Sequence, residues 1–327
     1  MPPLLPLARR SLSWHRPLML FAAAMAVVSV VSAVGLVVDD RVLVGAPIWA
    51  KPLKFALSFL LYTVTWAWML TFQQRARRWG WWAGTVLAGA GTVEMLVIVG
   101  QVLRGKRSHF NLETPFDTAV FGLMGTTIIV LMLGHFALGA LLLAGRYADR
   151  ASAAAVRWGM AVSAAGLLVG GLMLGPTDEQ QAARDQGRSV DVLGAHTVGA
   201  PDGGPGIPVL NWSTEAGDLR VPHFVGMHAL QLLPMVAIAL ALLGRRRPRL
   251  RDDVVRLRLV RIAAIGYTGL VALVTWQALR GQPVVAPDTL TLGATAALVA
   301  GVVLAAVLAV RRPTRIEFTP REEVAVR

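Results

Sequence analysis

Two short stretches hold most of the residues that could do chemistry. Residues 217–234, GDLRVPHFVGMHALQLLP, place Asp218, Arg220, His223, His228 and Gln231 at the entry to one apolar run. Residues 100–117, GQVLRGKRSHFNLETPFD, leave another run with Gln101, Arg104, Lys106, Arg107, Ser108, His109, Asn111 and Asp117. Lys54 and Glu94 sit inside apolar runs of their own. Ionisable groups at such positions are costly, so each one calls for a partner or a function. Glu94 lies two helical turns before Gln101, about 10 Å lower on the same face. His228 and Gln231, three residues apart, share another face. Lys54, Glu94, Gln101, His228 and Gln231 therefore fall in one polar layer, with Arg104, His109, Asn111, Asp117, Asp218, Arg220 and His223 as its rim.

The elements that position this layer follow from composition. The chain has 327 residues, 55% of them hydrophobic, with a mean hydropathy of +0.58. Apolar runs long enough to span a bilayer recur at about 18–38, 48–72, 82–103, 115–144, 155–174, 221–243, 259–279 and 290–310. The fold class expected is all-α, a polytopic transmembrane helix bundle of eight spans. The first run is too long for the core of a signal peptide and is read as an uncleaved first helix. The fifth contains Gly166-x-x-x-Gly170 and Gly171-x-x-x-Gly175, spacings that let helices approach closely. His135 falls at the far end of the fourth run from the polar layer and is expected to be packed. His15 and His196, in a terminus and a loop, receive no role.

The net charge is +13 and the pI about 11.4. In a soluble chain this would suggest nucleic acid. Here 22 of the 32 Lys and Arg fall on one side of the bundle if the N-terminus is cytoplasmic. That is the positive-inside pattern. It implies a cell-membrane protein with both termini cytoplasmic, the lipid bilayer as its main partner and no nucleic acid. The absence of cysteine excludes disulfides, iron–sulfur clusters, thiolate zinc and a cysteine nucleophile.

An internal repeat is visible once the spans are numbered. Gln101-Val-Leu-Arg104-Gly105 ends the third helix, and Gln277-Ala-Leu-Arg280-Gly281 ends the seventh. Lys51-Pro52-Leu-Lys54-Phe55 opens the second, and Val221-Pro222-His223-Phe224 the sixth. Two parallel four-helix halves, 1–152 and 153–327, are expected. The second half alone has a long outer loop, 175–220, in which Thr177 is placed to cap a short helix and GAPDGGPGIP can form only turn or coil. A loop of that length suits a lid or a binding segment.

Three chemistries fit the polar layer. His109, His223 and His228, with Asp117, Asp218 or Glu94, offer nitrogen and oxygen ligands for a divalent metal such as zinc. This scatter of Ser, His and Asp resembles the membrane ceramidase superfamily of intramembrane hydrolases. The resemblance implies a metal-activated water attacking a lipid-like substrate at the outer face. The paired His-x-x-x-His of that group is not present, since His223 and His228 are five apart. A quinone or haem site is the second chemistry, with Glu94, His228 and Gln101 as quinone contacts. The third is a vestibule for a small polar or anionic ligand, steered by Lys51, Lys54, Arg104, Lys106, Arg107, Arg220 and Arg280. No helix is expected to be broken in the middle of the membrane, as transporter helices often are. Taken whole, the chain resembles bacterial multi-pass integral membrane proteins.

Overall fold

The computed structural model describes residues 13–311. Arg9, Arg10 and the arginines beyond Arg311 lie outside the described residues. Ten α-helices make up the described chain: α1 (Arg16–Val38), α2 (Ala50–Leu70), α3 (Arg77–Leu103), α4 (Pro115–Leu142), α5 (Arg150–Val169), α6 (Asp178–Asp185), α7 (Arg220–Met227), α8 (Ala229–Gly244), α9 (Asp253–Leu279) and α10 (Thr289–Arg311). Among the described residues strand is confined to two small antiparallel pairs, β1 (Val42–Leu43) with β2 (Ala46–Pro47), and β3 (Thr197–Val198) with β4 (Gly217–Asp218). The architecture is an all-α helical bundle.

Seven of the described helices are long and apolar enough to cross a membrane, and the pair α7–α8 makes an eighth if counted as one span. That arrangement fits a multi-pass membrane protein. Large apolar side chains such as Val30, Val34, Leu96, Leu133 and Leu304 point outward, as they must where lipid replaces water. Trp66, Leu18, Met69, Leu87, Ile98 and Leu138 fill the centre.

Several helices begin earlier than their apolar runs. Asp149 accepts from the Ser152 amide at 2.7 Å and Asp252 from the Val254 amide at 2.8 Å, so α5 and α9 start at polar caps rather than at the first apolar residue. His15 also gains a role that the sequence did not suggest. Its ring caps α1 through the Leu18 amide and lies 2.9 Å from the Trp81 carbonyl, tying α1 to α3.

The sixth span is not continuous. α7 and α8 meet at His228 with a bend of 43°, contrary to the expectation of unbroken spans. The physical reason lies on both sides of the break. Gly226 packs backbone to backbone on Gly166, where an added Cβ would come within 2.6 Å of Gly166 Cα. The Tyr267 hydroxyl donates to the Val225 carbonyl at 2.6 Å, and Pro234 offers no amide to the turn before it. The helix is held by its neighbours in a shape that its own ladder would not choose. Of the two glycine spacings in the fifth run, the first is used: Gly166 meets Gly226, and Gly170 meets the His223 ring. The second is not, since Gly171 and Gly175 face open space.

Candidate ligand site beneath the long loop

The helix ends separate into an arginine end and a loop end. At the arginine end Arg256 bridges to Asp149 at 2.9 Å, and the Arg146 amide bonds the Phe72 carbonyl. At the loop end, residues 175–220 fold back over α2, the α3–α4 connection and α7. Thr177 and Gln180 form a capping box that starts α6, as its sequence position implied. The Gln180 side chain then clasps Gly194 through both its backbone groups. Asn111 bridges Val192, and the Leu112 and Leu193 amides bond Asp191 and Phe110 carbonyls. Asn211 reaches the Val44 carbonyl at 3.4 Å, and Lys54 donates to the Leu210 carbonyl at 2.7 Å. The loop is thus fastened to both α2 and the α3–α4 connection.

Beneath it, half-buried cations and histidines gather around Lys51. Lys51 Nζ lies 3.0 Å from His109 Nδ1. An ammonium can only donate, so His109 accepts at Nδ1 and keeps its proton on Nε2. Lys51 is also within electrostatic reach of Lys54, Arg107, Arg220 and Glu94. His109 in turn feels His196 and His223. Burial, then the Lys51 charge, holds the His109 pKa well below 6.5. His196 is lowered as well by burial, against the pull of Asp202, whose carboxylate stands 2.8 Å from its Nδ1. Phe110 packs edge-on against His196 with centroids 5.0 Å apart, and it holds a left-handed backbone at φ 63. A bulky residue in that region is strained, and neighbours must impose it.

Glu94 is fully buried on α3. One carboxylate oxygen accepts from the Thr127 hydroxyl of α4; the other, Oε2, has no partner. The Lys51 charge is within its reach. On α7, the His223 ring meets the Gly166 carbonyl through Nδ1 at 2.8 Å, so Nδ1 carries the proton and Nε2 is left as acceptor. His228 stacks edge-on against Phe224 at 4.4 Å and lies 3.3 Å from Gln231 through Nδ1.

Other residues expected at the rim are occupied in holding the fold. Asp117 is fully buried, bonded by Gln101 at 2.9 Å, Arg104 at 2.7 Å and the Thr114 hydroxyl at 2.6 Å. It does not cap α4; Thr114 does. Asp218 pairs with Arg220 at 2.6 Å and accepts the Ser213 amide at 2.8 Å. Asn111 bonds the Arg107 carbonyl and the Glu113 amide. Arg220 reaches the Asn211 carbonyl as well.

Two chemistries lose ground in this geometry. Among the described residues no group of three or more His, Asp or Glu is placed to hold a metal ion. His109, His223 and His228 each turn a ring nitrogen to a different partner, so the expected divalent-metal set is not assembled. His135 is buried with Nδ1 at 3.1 Å from the Tyr62 hydroxyl and Nε2 at 3.4 Å from the Met160 carbonyl. Neither nitrogen is free to bind haem iron.

Sequence reasoning missed His196, Asp202 and Thr127, and undervalued Lys51. Only Lys51 carried a local signal, its placement one turn before Lys54. His196 joins the group only because the loop folds back. No family model matches the chain, and comparison with curated proteins and with solved structures gives no match.

Proposed function

We propose that the chain is a cell-membrane protein whose loop end faces outward, with both termini cytoplasmic, and that the space beneath the loop binds a small anionic ligand. The supporting observation is an excess of positive charge: Lys51, Lys54, Arg107 and Arg220 gather where only Glu94 and Asp218 stand within electrostatic reach among the described carboxylates. Lys51, Lys54 and Arg107 have no ion-pair partner among the described residues, and Asp218 is already committed to Arg220. Partly buried cations in excess of their counter-charge are stabilised by an anion brought from solution. Lys51, Lys54 and the Nε2–H of His109 would supply the donors. The arginine bias between the two ends supports the orientation.

The break at His228 favours transport over passive binding. Discontinuous helices beside a polar site recur in membrane transporters, where an unwound turn lines the ligand path. The two halves, 1–152 and 153–327, are read with this as a parallel repeat. In support, α1 packs on α2 and α3 on α4, much as α5 packs on α7–α8 and α9 on α10.

The test is the thermal midpoint of the purified full chain in detergent, titrated at constant ionic strength with phosphate, sulfate, acetate and succinate. One of these anions should raise it saturably, and Lys51→Met should remove the rise. If no anion shifts the wild-type protein saturably, the reading is wrong.

A further inference from the structure

α9 and α10 lie side by side, and at the arginine end a cleft of about 350 Å³ opens between them. Its walls are of two kinds. Arg258, Arg261 and Ile262 come from α9; Ala305, Leu308 and Ala309 come from α10. Spacings of three and four residues put each set on one face of its helix. Nearer the helix ends the Arg249 side chain donates to the Val310 carbonyl of α10 at 3.0 Å.

The two arginines differ from their neighbour. Arg256 is paired with Asp149 and Asp253. Neither Arg258 nor Arg261 has a carboxylate partner among the described residues, and Arg258 Nη1 is buried with no acceptor. A buried guanidinium N–H is costly to leave unbonded. Free phosphate would satisfy it but leave Ile262, Ala305 and Leu308 uncovered. A neutral lipid would cover those side chains but leave the guanidinium unanswered. Only a molecule with an anion at one end and hydrocarbon at the other meets both walls, and α9 and α10 cross the depth where such molecules lie.

We propose that this cleft is a binding site for an anionic phospholipid. Its phosphodiester would sit on Arg258 and Arg261, and an acyl chain along Ile262, Ala305 and Leu308. The site is remote from the polar group beneath the loop and does not depend on what that group binds.

Native mass spectrometry of the delipidated full chain, with lipid added back, reads it directly. Dioleoyl phosphatidylglycerol should be retained at least about tenfold better than dioleoyl phosphatidylcholine. The double variant R258A/R261A should lose that preference. A305F, which keeps both charges and fills the apolar wall, should lose it too. R75A/R78A, which removes two exposed arginines from the same end, should retain it. Equal loss in R75A/R78A would reduce the effect to general charge and overturn the proposal. So would full retention in A305F, or displacement of the lipid by equimolar glycerol phosphate, which would mark a plain phosphate site.

Discussion

The turn from α3 to α4 and the turn from α9 to α10 are built on the same plan. Gln101 and Gln277 each sit three residues before an arginine that precedes a glycine. Gly105 and Gly281 take positive φ, 69 and 71. Both glycine amides return to the carbonyl three residues back, and the next amide returns to the glutamine carbonyl, the bonding of a Schellman cap. Arg104 stacks on Phe116 at 4.6 Å and Arg280 on Trp276 at 4.5 Å; each then pairs with an aspartate at the head of the next helix. Beyond the glycine the two turns diverge. The first runs on through Lys106, Arg107, Ser108, His109 and Phe110 and buries its aspartate completely. The second has no histidine, and Asp288 stays 38% exposed. The shared clamp joins helices; the histidine and Arg107, a cation without an ion-pair partner among the described residues, sit in the extra loop of the first turn.

Removing the aspartate from each clamp is the largest test of that contrast. Asp117→Ala leaves Arg104 and Gln101 facing a buried gap and should cost about 3 kcal/mol. Asp288→Ala breaks a solvent-screened pair and one helix cap and should cost clearly less. Thermal midpoints of the two variants in detergent should separate clearly; equal losses would mean that burial does not distinguish the clamps.

Helix packing supplies the next comparison. Gly166→Ala forces a Cβ into the Gly226 backbone, which cannot yield. It should cost about 2 kcal/mol. Gly171→Ala meets nothing within 4 Å and should change stability by less than about 0.5 kcal/mol. A neutral Gly166→Ala would remove the close approach as the reason for the bend at His228.

Around pH 6.5 acid should act through the first turn, which holds His109, and not the second, which holds no histidine. Folded His109 resists its proton well below pH 6.5, whereas the unfolded residue takes one near 6.5. The unfolded state then binds more protons, so stability is full above that pH and falls as pH drops through 6.5 toward the folded value. His109→Gln should flatten this slope in a midpoint-versus-pH series. An unchanged slope would shift the origin to another histidine, His196 first.

Tyr267→Phe frees the Val225 carbonyl at the break and should cost about 1 kcal/mol, half the expected loss in Gly166→Ala. A gain in stability instead would show that the hydroxyl pulls the helix out of line.

Much of this molecule is legible in its residues. Apolar run length indicated spans because a backbone in lipid must satisfy itself within a helix. Thr177 marked its cap, and Gly166-x-x-x-Gly170 its close contact, because both effects are local in sequence. The clamp was visible as a repeated Gln, Arg and Gly. Lys54, Glu94 and His228 were singled out by the cost of polarity in apolar runs, and that argument requires no partner to be known.

Tertiary structure alone decided the rest. Asp117 and Asp218 looked like ligand residues, yet neighbours consume them, and a sequence does not show which carboxylates are already paired. His196 reached the site through a loop closed by backbone bonds, which any residue types can make. The break at His228 depends on Gly166 and Tyr267 from other helices. Chain-local physics set the helices and their caps. The site depended on contacts between distant segments, where the partner rather than the residue determines the role.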